Sequence, residues 1–452
     1  MRLEQRKFTD LSPVEKRDMA KQLLRQADPQ GRPNRAASAT PVDADIPPEF
    51  YRFELFPGYR ALEQQADTFR RLNIENPYFN CHLDVSRHTL TIGQCQYINY
   101  SGYNYLGLSG HPAVSQAAKA AIDQYGTSVS ASRIVSGEIP LHRELEQELA
   151  ELVEAEACLV FVSGYGANVS TIGHLFGPKD LLLHDALIHN SALTGCQLAG
   201  SRRIAFPHND WEALDRLLAE NRRYHERVLI VLEGVYSMDG DIPNLPKFIE
   251  VKQRHKALLM VDEAHSAGVL GARGRGIGEH FGIDGADVDI WMGTLSKAFA
   301  SCGGYIAGSR ALIDYLKYTA PGAVLYSVGM SPPNAAAALA AVRLFKQEPE
   351  RVTRLRVNAQ RFLALAKGHG LNTGPSHGSA VVPVILGHSV RCLKLAQELF
   401  ARRINVQPML YPSVSEDAAR LRFFITSEHG ASDIQYTVET VARQLRDLET
   451  GD

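Results

Sequence analysis

Two residues carry the first hint of chemistry. Lys297 lies in WMGTLSKAFASCGGYIAG, residues 291 to 308, just after a short apolar run and among the small residues Thr294, Ser296, Gly303 and Gly304. Burial destabilises a lysine's charge, lowers its pKa and frees a nucleophilic amine. Such an amine can form a Schiff base with an aldehyde. The bland alternative, a solvated surface lysine, fits poorly with so many small neighbours and with the hydroxyls of Thr294 and Ser296 beside it. Asp262 ends the apolar run of ALLMVDEA, residues 257 to 264. That places it at the carboxyl edge of a sheet, where open α/β sheets bind ligands. The tetrapeptide D-E-A-H allows two readings. An NTP-driven helicase would need a G-x-x-x-x-G-K-[ST] phosphate loop upstream, and the sequence has none. The other reading is an acid that pairs with a heterocyclic cation.

Further polar segments follow strand-like runs. VSGYGANVS (162–170) leads into a helix, whose first backbone amides favour a phosphate. There Gly164 permits close approach and Tyr165 can pack on a ligand. HDALIHNSAL (184–193) carries His189, whose flat ring could lie over an aromatic cofactor, although a lone histidine is more often structural. LEGVYSMDGDIPNL (232–245) sets Ser237 and Asp239 beyond a strand end. The glycine-rich GVLGARGRGIGEHFG (268–282) lacks the strand and spacing of a dinucleotide fingerprint and reads as a mobile loop.

These segments need a scaffold. CLVFVS, RVLIVLEG and ALLMVDEA alternate with helix-like stretches such as HRELEQELAELVEA and NDWEALDRLLAENRRYH. That alternation means an α/β fold, a mostly parallel sheet covered by helices. After about residue 340 the pattern changes. One long helical stretch (332–368), the strand-like runs AVVPVIL and RLRFFITS, and a last helix over 431–448 read as a smaller α+β domain. At the other end, Ser12, Pro13 and Glu15 make a capping box for a helix over 11–26. Residues 27–50, rich in Ala, Pro and Asp, read as a linker. The expected organisation is an N-terminal helix (1–26), the linker (27–50), an N-terminal segment (51–107), a large domain (108–340) and a small one (341–452).

Composition bounds the function. The chain has 452 residues, 45% hydrophobic and 22% charged, with a formal net charge of −2. That is ordinary for a globular protein with an ample core. It lacks the basic surplus of a dedicated nucleic-acid binder. No apolar run reaches the ~18 residues of a membrane span. Six scattered cysteines with no CxxC pair suggest neither a disulfide framework nor a metal site, but reduced thiols in a cytoplasmic protein.

Taken together, YINYSGYNYLGLSGHP, SRIVSG…HRELE, SGYGAN, EGVYSMDGD, VDEAHSAGVLG and GTLSKA resemble, in that order, the α-oxoamine synthases. These are fold-type I pyridoxal 5′-phosphate (PLP) transferases that include aminooxononanoate synthase and serine palmitoyltransferase. The resemblance runs from about residue 97 to 448. It implies a homodimer of aspartate aminotransferase-like fold that condenses an amino acid with an acyl thioester and releases CO2 and thiol. It further implies that Lys297 holds the cofactor aldehyde and Asp262 pairs with the pyridine nitrogen. His265, helped by Ser237, would bond the ring oxygen, and His189 would stack on the ring. Gly164, Tyr165 and Thr294 would sit at the phosphate end. Arg422 would bind the amino-acid carboxylate, with Tyr103 near the substrate. Two stretches depart from the usual pattern. Tyr103-Asn104 replaces Asn-Asp or Asn-Asn, and YSVGMSPP carries Val328 and Gly329 where hydroxyls are usual. The stretch YGTSVSASRIVSGEIPLHRELE is most similar to synthases of polyketide assembly lines, which implies an acyl carrier protein as donor rather than coenzyme A. The alternatives are an aminotransferase or C–C lyase on the same scaffold, or a non-catalytic partner subunit; the presence of Lys297 weighs against the last.

Overall fold

The computed structural model describes residues 46–71, 73–411 and 413–450. The helix expected over 11–26, and the linker as far as residue 45, lie outside them. The chain forms two compact units, one ending at Asn73 and one starting at Ile74. In the first, the described residues make two short 3-10 turns, Pro48–Phe50 and Phe53–Leu55, and helix α1 (Pro57–Arg71).

The second unit opens with a hairpin of β1 (Thr89–Ile92) and β2 (Cys95–Asn99). Helices α2 (Pro112–Tyr125) and α3 (Pro140–Leu152) follow, each with proline at its start, where the missing N–H costs no hydrogen bond. Then strands and helices alternate: β3 (Ala157–Phe161), α4 (Gly164–Leu175), β4 (Leu181–Asp185), α5 (Asn190–Ala199), β5 (Arg202–Phe206), α6 (Trp211–Asn221), β6 (Val228–Glu233), α7 (Leu245–His255) and β7 (Leu258–Asp262). Short helix α8 (Ile277–Phe281), β8 (Ile290–Thr294) and β9 (Gly304–Gly308) complete the large sheet, whose order is β3-β9-β8-β7-β6-β4-β5. All neighbours are parallel except β9, which runs against both β3 and β8.

The continuous apolar runs are explained by burial on both faces. Along β6, Val228, Ile230 and Leu232 join one hydrophobic core while Leu229 and Val231 join another on the opposite face. The parallel strands β4, β6, β7 and β8 therefore deliver their polar last residues, Asp185, Glu233, Asp262 and Thr294, to one edge. Buried Arg133, from the SRIVSG stretch, is held between Glu138 and Glu146, and Glu146 also accepts the amide of Val160 at 3.0 Å. That motif thus ties α3 to β3.

Beyond β9 come α9 (Arg310–Thr319), α10 (Pro332–Gln347) and α11 (Glu350–Gly368). The single helix expected over 332–368 is therefore two. Pro349 separates them, because its ring and missing N–H cannot continue α10. Next come β10 (Val381–Ile385), α12 (Ser389–Ala401), β11 (Ile404–Asn405), β12 (Gln407–Met409), β13 (Arg420–Phe424) and α13 (Ala431–Thr450). β13 lies between β10 and β12, antiparallel to both. β11 instead pairs in parallel with β2, so the early hairpin shares its sheet with a late strand.

The glycine-rich stretch 268–282 is not the loose loop its composition suggested. It contains α8, and Val269, Leu270 and Ile277 are buried. Two carboxylates collect its backbone amides: Glu279 accepts from Arg273 and Arg275, and Glu263 accepts from Ile277, at 3.0–3.2 Å. Burial raises the Glu263 carboxyl to about 7, its hydrogen bonds to Ser266 and the loop amides notwithstanding.

Candidate active site

The ten residues to which the resemblance gives a site role all line one cleft of about 410 Å³ at the carboxyl edge of the large sheet, whereas Asp239 is not part of its lining. Size alone does not single it out. A cleft of about 540 Å³ beside Tyr78 and Asn405 is larger, but its lining offers no lysine, arginine or carboxylate.

Lys297 stands in the turn after β8. The turn is fixed by the amide of Leu295 donating to Gly303 O and that of Ser301 donating to Leu295 O, both at 2.9 Å. Leu295, Ala298 and Phe299 are buried around it. Burial lowers the ammonium's pKa to about 8, against the opposing pull of Asp262 and Glu233. About a tenth of the amine is then free at pH 7, far more than for an ordinary lysine. Its Nζ lies 5.7 Å from the ring centroid of Tyr103.

Asp262 ends β7, and its register partner on β6 is Glu233. The Asp262 carboxylate accepts from Asn168 Nδ2 and from the amide of Ala264, each at 2.9 Å. The Glu233 carboxyl is buried, and its pKa is pushed well up by that burial and by Asp262. One of its oxygens accepts from the amide of Ser237 at 3.2 Å, and the other has no partner among the described residues. Neither Asn168 nor Glu233 was picked out in the sequence. Asn168 closes the quoted SGYGAN inside α4, but its meeting with Asp262 comes only through the tertiary fold. Glu233, four residues before Ser237 in the quoted EGVYSMDGD, carried a signal in its place at a strand end.

The two histidines differ in their anchoring. His189 caps α5, and its Nδ1 accepts from the amide of Ser191 at 3.2 Å. An accepting Nδ1 leaves the neutral ring's proton on Nε2. Burial keeps the ring's pKa low. His265 is buried, its Nδ1 lies 2.7 Å from the hydroxyl of Tyr105, and its pKa falls well below the usual value through burial and the nearby Lys297 and Arg422.

At one end of the cleft, α4 starts against the β8–β9 pair. Ser163 caps the helix by accepting the amide of Gly166 at 2.9 Å. A Cβ on Gly164 would come within 2.9 Å of Thr294 Oγ1, and one on Gly304 within 2.5 Å of Gly164 Cα. Two glycines thus bring the helix's N-terminal amides close to the lysine turn, a disposition suited to an anion. Thr294 Oγ1 donates to Gly303 O at 3.1 Å and lies 2.7 Å from Ser296 Oγ. Tyr165 is half exposed, and its hydroxyl donates to Thr194 Oγ1 at 3.1 Å.

At the other end is Arg422. Neighbouring Arg420 is ion-paired with Asp239. Arg422 is nearly as deeply placed, but its hydrogen-bond partners among the described residues are the carbonyl of Ser237 at 3.0 Å and the sulfur of Met238 at 3.5 Å. Its Nε has no partner among the described residues, and its guanidinium lies 4.6 Å from the ring centroid of Phe424. A buried cation without a carboxylate partner is costly, and an incoming anion removes that cost.

The cleft therefore presents a low-pKa amine, a strand-end carboxylate for a cationic ring nitrogen, neutral imidazoles, a helix N-terminus and an unneutralised arginine. That donor set fits PLP and an amino acid.

Comparison with known proteins agrees with these features. Residues 96–441 match the family model described as aminotransferase class I and II. An 8-amino-7-oxononanoate synthase of Symbiobacterium thermophilum is 39% identical over 78% of this chain and 89% of its own length. A serine palmitoyltransferase of S. paucimobilis with PLP and myriocin bound superposes with a TM-score of 0.83 at 28% identity, over 87% of this chain and 98% of that one. For an 8-amino-7-oxononanoate synthase from Francisella tularensis the TM-score is 0.68 at 26% identity, over 78% and 99%.

Proposed function

Because the chain belongs to the class I and II aminotransferase family, and within it to the α-oxoamine synthases, we propose that it joins an α-amino acid to an acyl thioester, releasing CO2 and free thiol and leaving an α-amino ketone. PLP is its cofactor. When bound, that group supplies an aldehyde for a lysine and a protonated ring that draws electrons from the substrate's α-carbon. The observation that carries the reading is Lys297, Asp262 and the carboxylate-free Arg422 around one cleft.

Each residue has a task that follows from its surroundings. Lys297 anchors the cofactor and then, as a free amine, takes and returns the α-proton; its lowered pKa suits both roles. Asp262, held by Asn168, keeps the ring nitrogen protonated through the attraction of its negative charge. His189 lines the cleft from the α5 cap, where the flat imidazole can cover the ring. His265, oriented by Tyr105, and Ser237 serve the ring oxygen. The first turn of α4 at Gly164 and Tyr165, with Thr294, receives the phosphate. Arg422 takes the substrate carboxylate, and Tyr103 lines the substrate side.

The acyl donor is read as a thioester on an acyl carrier protein or coenzyme A, and the working form as a homodimer. Among the described residues no helix is long and apolar enough to cross a membrane, and all six cysteines are free thiols.

The test is incubation of the loaded protein with a panel of amino acids and acyl thioesters on both carriers. Stoichiometric CO2 and thiol are expected; a keto acid alone would identify an aminotransferase. Arg422→Ala is expected to raise the KM for the amino acid by roughly 10²-fold, the usual scale for losing a hydrogen-bonded charge pair, while the KM for the thioester changes little. Equal changes in both would remove Arg422 from the carboxylate site.

A further inference from the structure

A second charged cluster lies behind the cleft and has no part in the chemistry above. At its centre is His208, in the PHND turn between β5 and α6. Its Nδ1 is 2.8 Å from Asp185 and its Nε2 is 2.8 Å from Asp241. Ionised carboxylates only accept, so both ring nitrogens donate and the ring is an imidazolium. Burial opposes that charge, but the hydrogen bonds to Asp185 and Asp241 outweigh it and lift the pKa to about 10. Asn209, with φ of +56°, completes the cluster: its amide donates to Asp185 at 2.8 Å and its Nδ2 to Asp241 at 2.6 Å. Asparagine tolerates that left-handed backbone better than most residues. Tyr236 meets the imidazole edge-on, with ring centroids 4.5 Å apart.

What the cluster joins matters most. Asp185 is the last residue of β4 and also accepts the amide of Leu187 at 2.8 Å, which shapes the turn that ends in His189. Asp241 closes the turn after β6 that contains Ser237, where Tyr236 N donates to Asp241 O at 3.1 Å and Gly240 N to Tyr236 O at 2.8 Å. The two turns come from different strands, and both line the cleft, the first through His189 and the second through Ser237 and Met238.

We propose that His208 is a positioning residue: bridging Asp185 and Asp241, it fastens the turn bearing His189 to the turn bearing Ser237 and so fixes how the two present themselves to the cofactor. The inference rests on the reading of the cleft as a PLP site. The bland alternative is that His208 only neutralises two buried carboxylates.

The experiment uses the full chain, the His208→Gln variant and PLP itself as probe. Expected in His208→Gln are a PLP affinity lower by roughly tenfold to a hundredfold, the scale for loss of an outer partner that orients a ligand, and a diminished visible circular dichroism of the bound cofactor. kcat should fall more than the amino acid's KM rises. In the cofactor-free chain, the ring nitrogen resonances of His189 should shift. In His208→Gly, added imidazole should restore the dichroism. Where His208→Gln fails to fold, Asp241→Asn, which cuts one arm of the bridge, is read by the same measurements. Unchanged His189 resonances, PLP affinity and dichroism, with only the melting temperature lowered, would reduce His208 to a structural role. If the parent protein fails to take up PLP, the cofactor reading falls, and the His189 resonances alone still decide whether the bridge positions that ring.

Discussion

Lys297→Ala is expected to give a folded protein that no longer holds PLP covalently. Borohydride treatment should fix the cofactor's mass on the parent at the peptide containing Lys297, and leave the variant's mass unchanged. Condensation should fall by at least ~10³-fold, within the range for losing a positioned acid–base group, because the covalent anchor is lost as well. The fold should survive, since the side chain makes no hydrogen bond within the protein among the described residues; its neighbours Leu295, Ala298 and Phe299 hold the turn. A variant that still acquired the mass would show that another lysine carries the cofactor. The lowered pKa gives a companion expectation: the parent's rate of PLP capture should climb with pH about a midpoint near 8, not near the 10.5 of an ordinary lysine.

The second large effect is expected at Asp262. Asp262→Asn keeps the shape but removes the charge proposed to hold a proton on the ring nitrogen. Exchange of the amino acid's α-hydrogen for deuterium, followed by NMR, should slow by roughly 10²- to 10³-fold, the size seen when one preorganised electrostatic partner is deleted. An unaltered exchange rate would assign the ring nitrogen to another group. Glu233 is the natural competitor, as the strand-end carboxyl directly beside it. Asp262 is one reason that carboxyl's pKa stands high, so removing it makes Glu233 more acidic. The double variant with Glu233→Gln separates the two contributions.

Much of this arrangement was legible because strand ends are local features. An apolar run that stops at a polar residue marks Asp262 without any knowledge of its neighbours, and small residues after such a run mark Lys297. The contacts that tune these groups are not local. Asn168 reaches Asp262 across 94 positions, and His208 reaches Asp241 across 33. Neither distance leaves a trace in periodicity. Strands β11 and β12, with two and three residues, are too short for any pattern to declare them. The break at Pro349 is different: the proline stands in plain view inside a helical pattern, and a proline there ends a helix. In the glycine-rich stretch, composition suggested freedom. The carboxylates of Glu263 and Glu279 that gather its amides were visible as letters, but not as partners.

The late position of β13 has a consequence for biosynthesis. The lysine, the strand-end acids and the histidines emerge from a ribosome long before Arg422, which must cross back over chain already made to reach Ser237. The groups proposed to hold the cofactor are thus translated before the arginine proposed to take the substrate's carboxylate. Closing the cleft therefore waits for almost the whole chain, because the carbonyl of Ser237 meets its guanidinium only once β13 is in place.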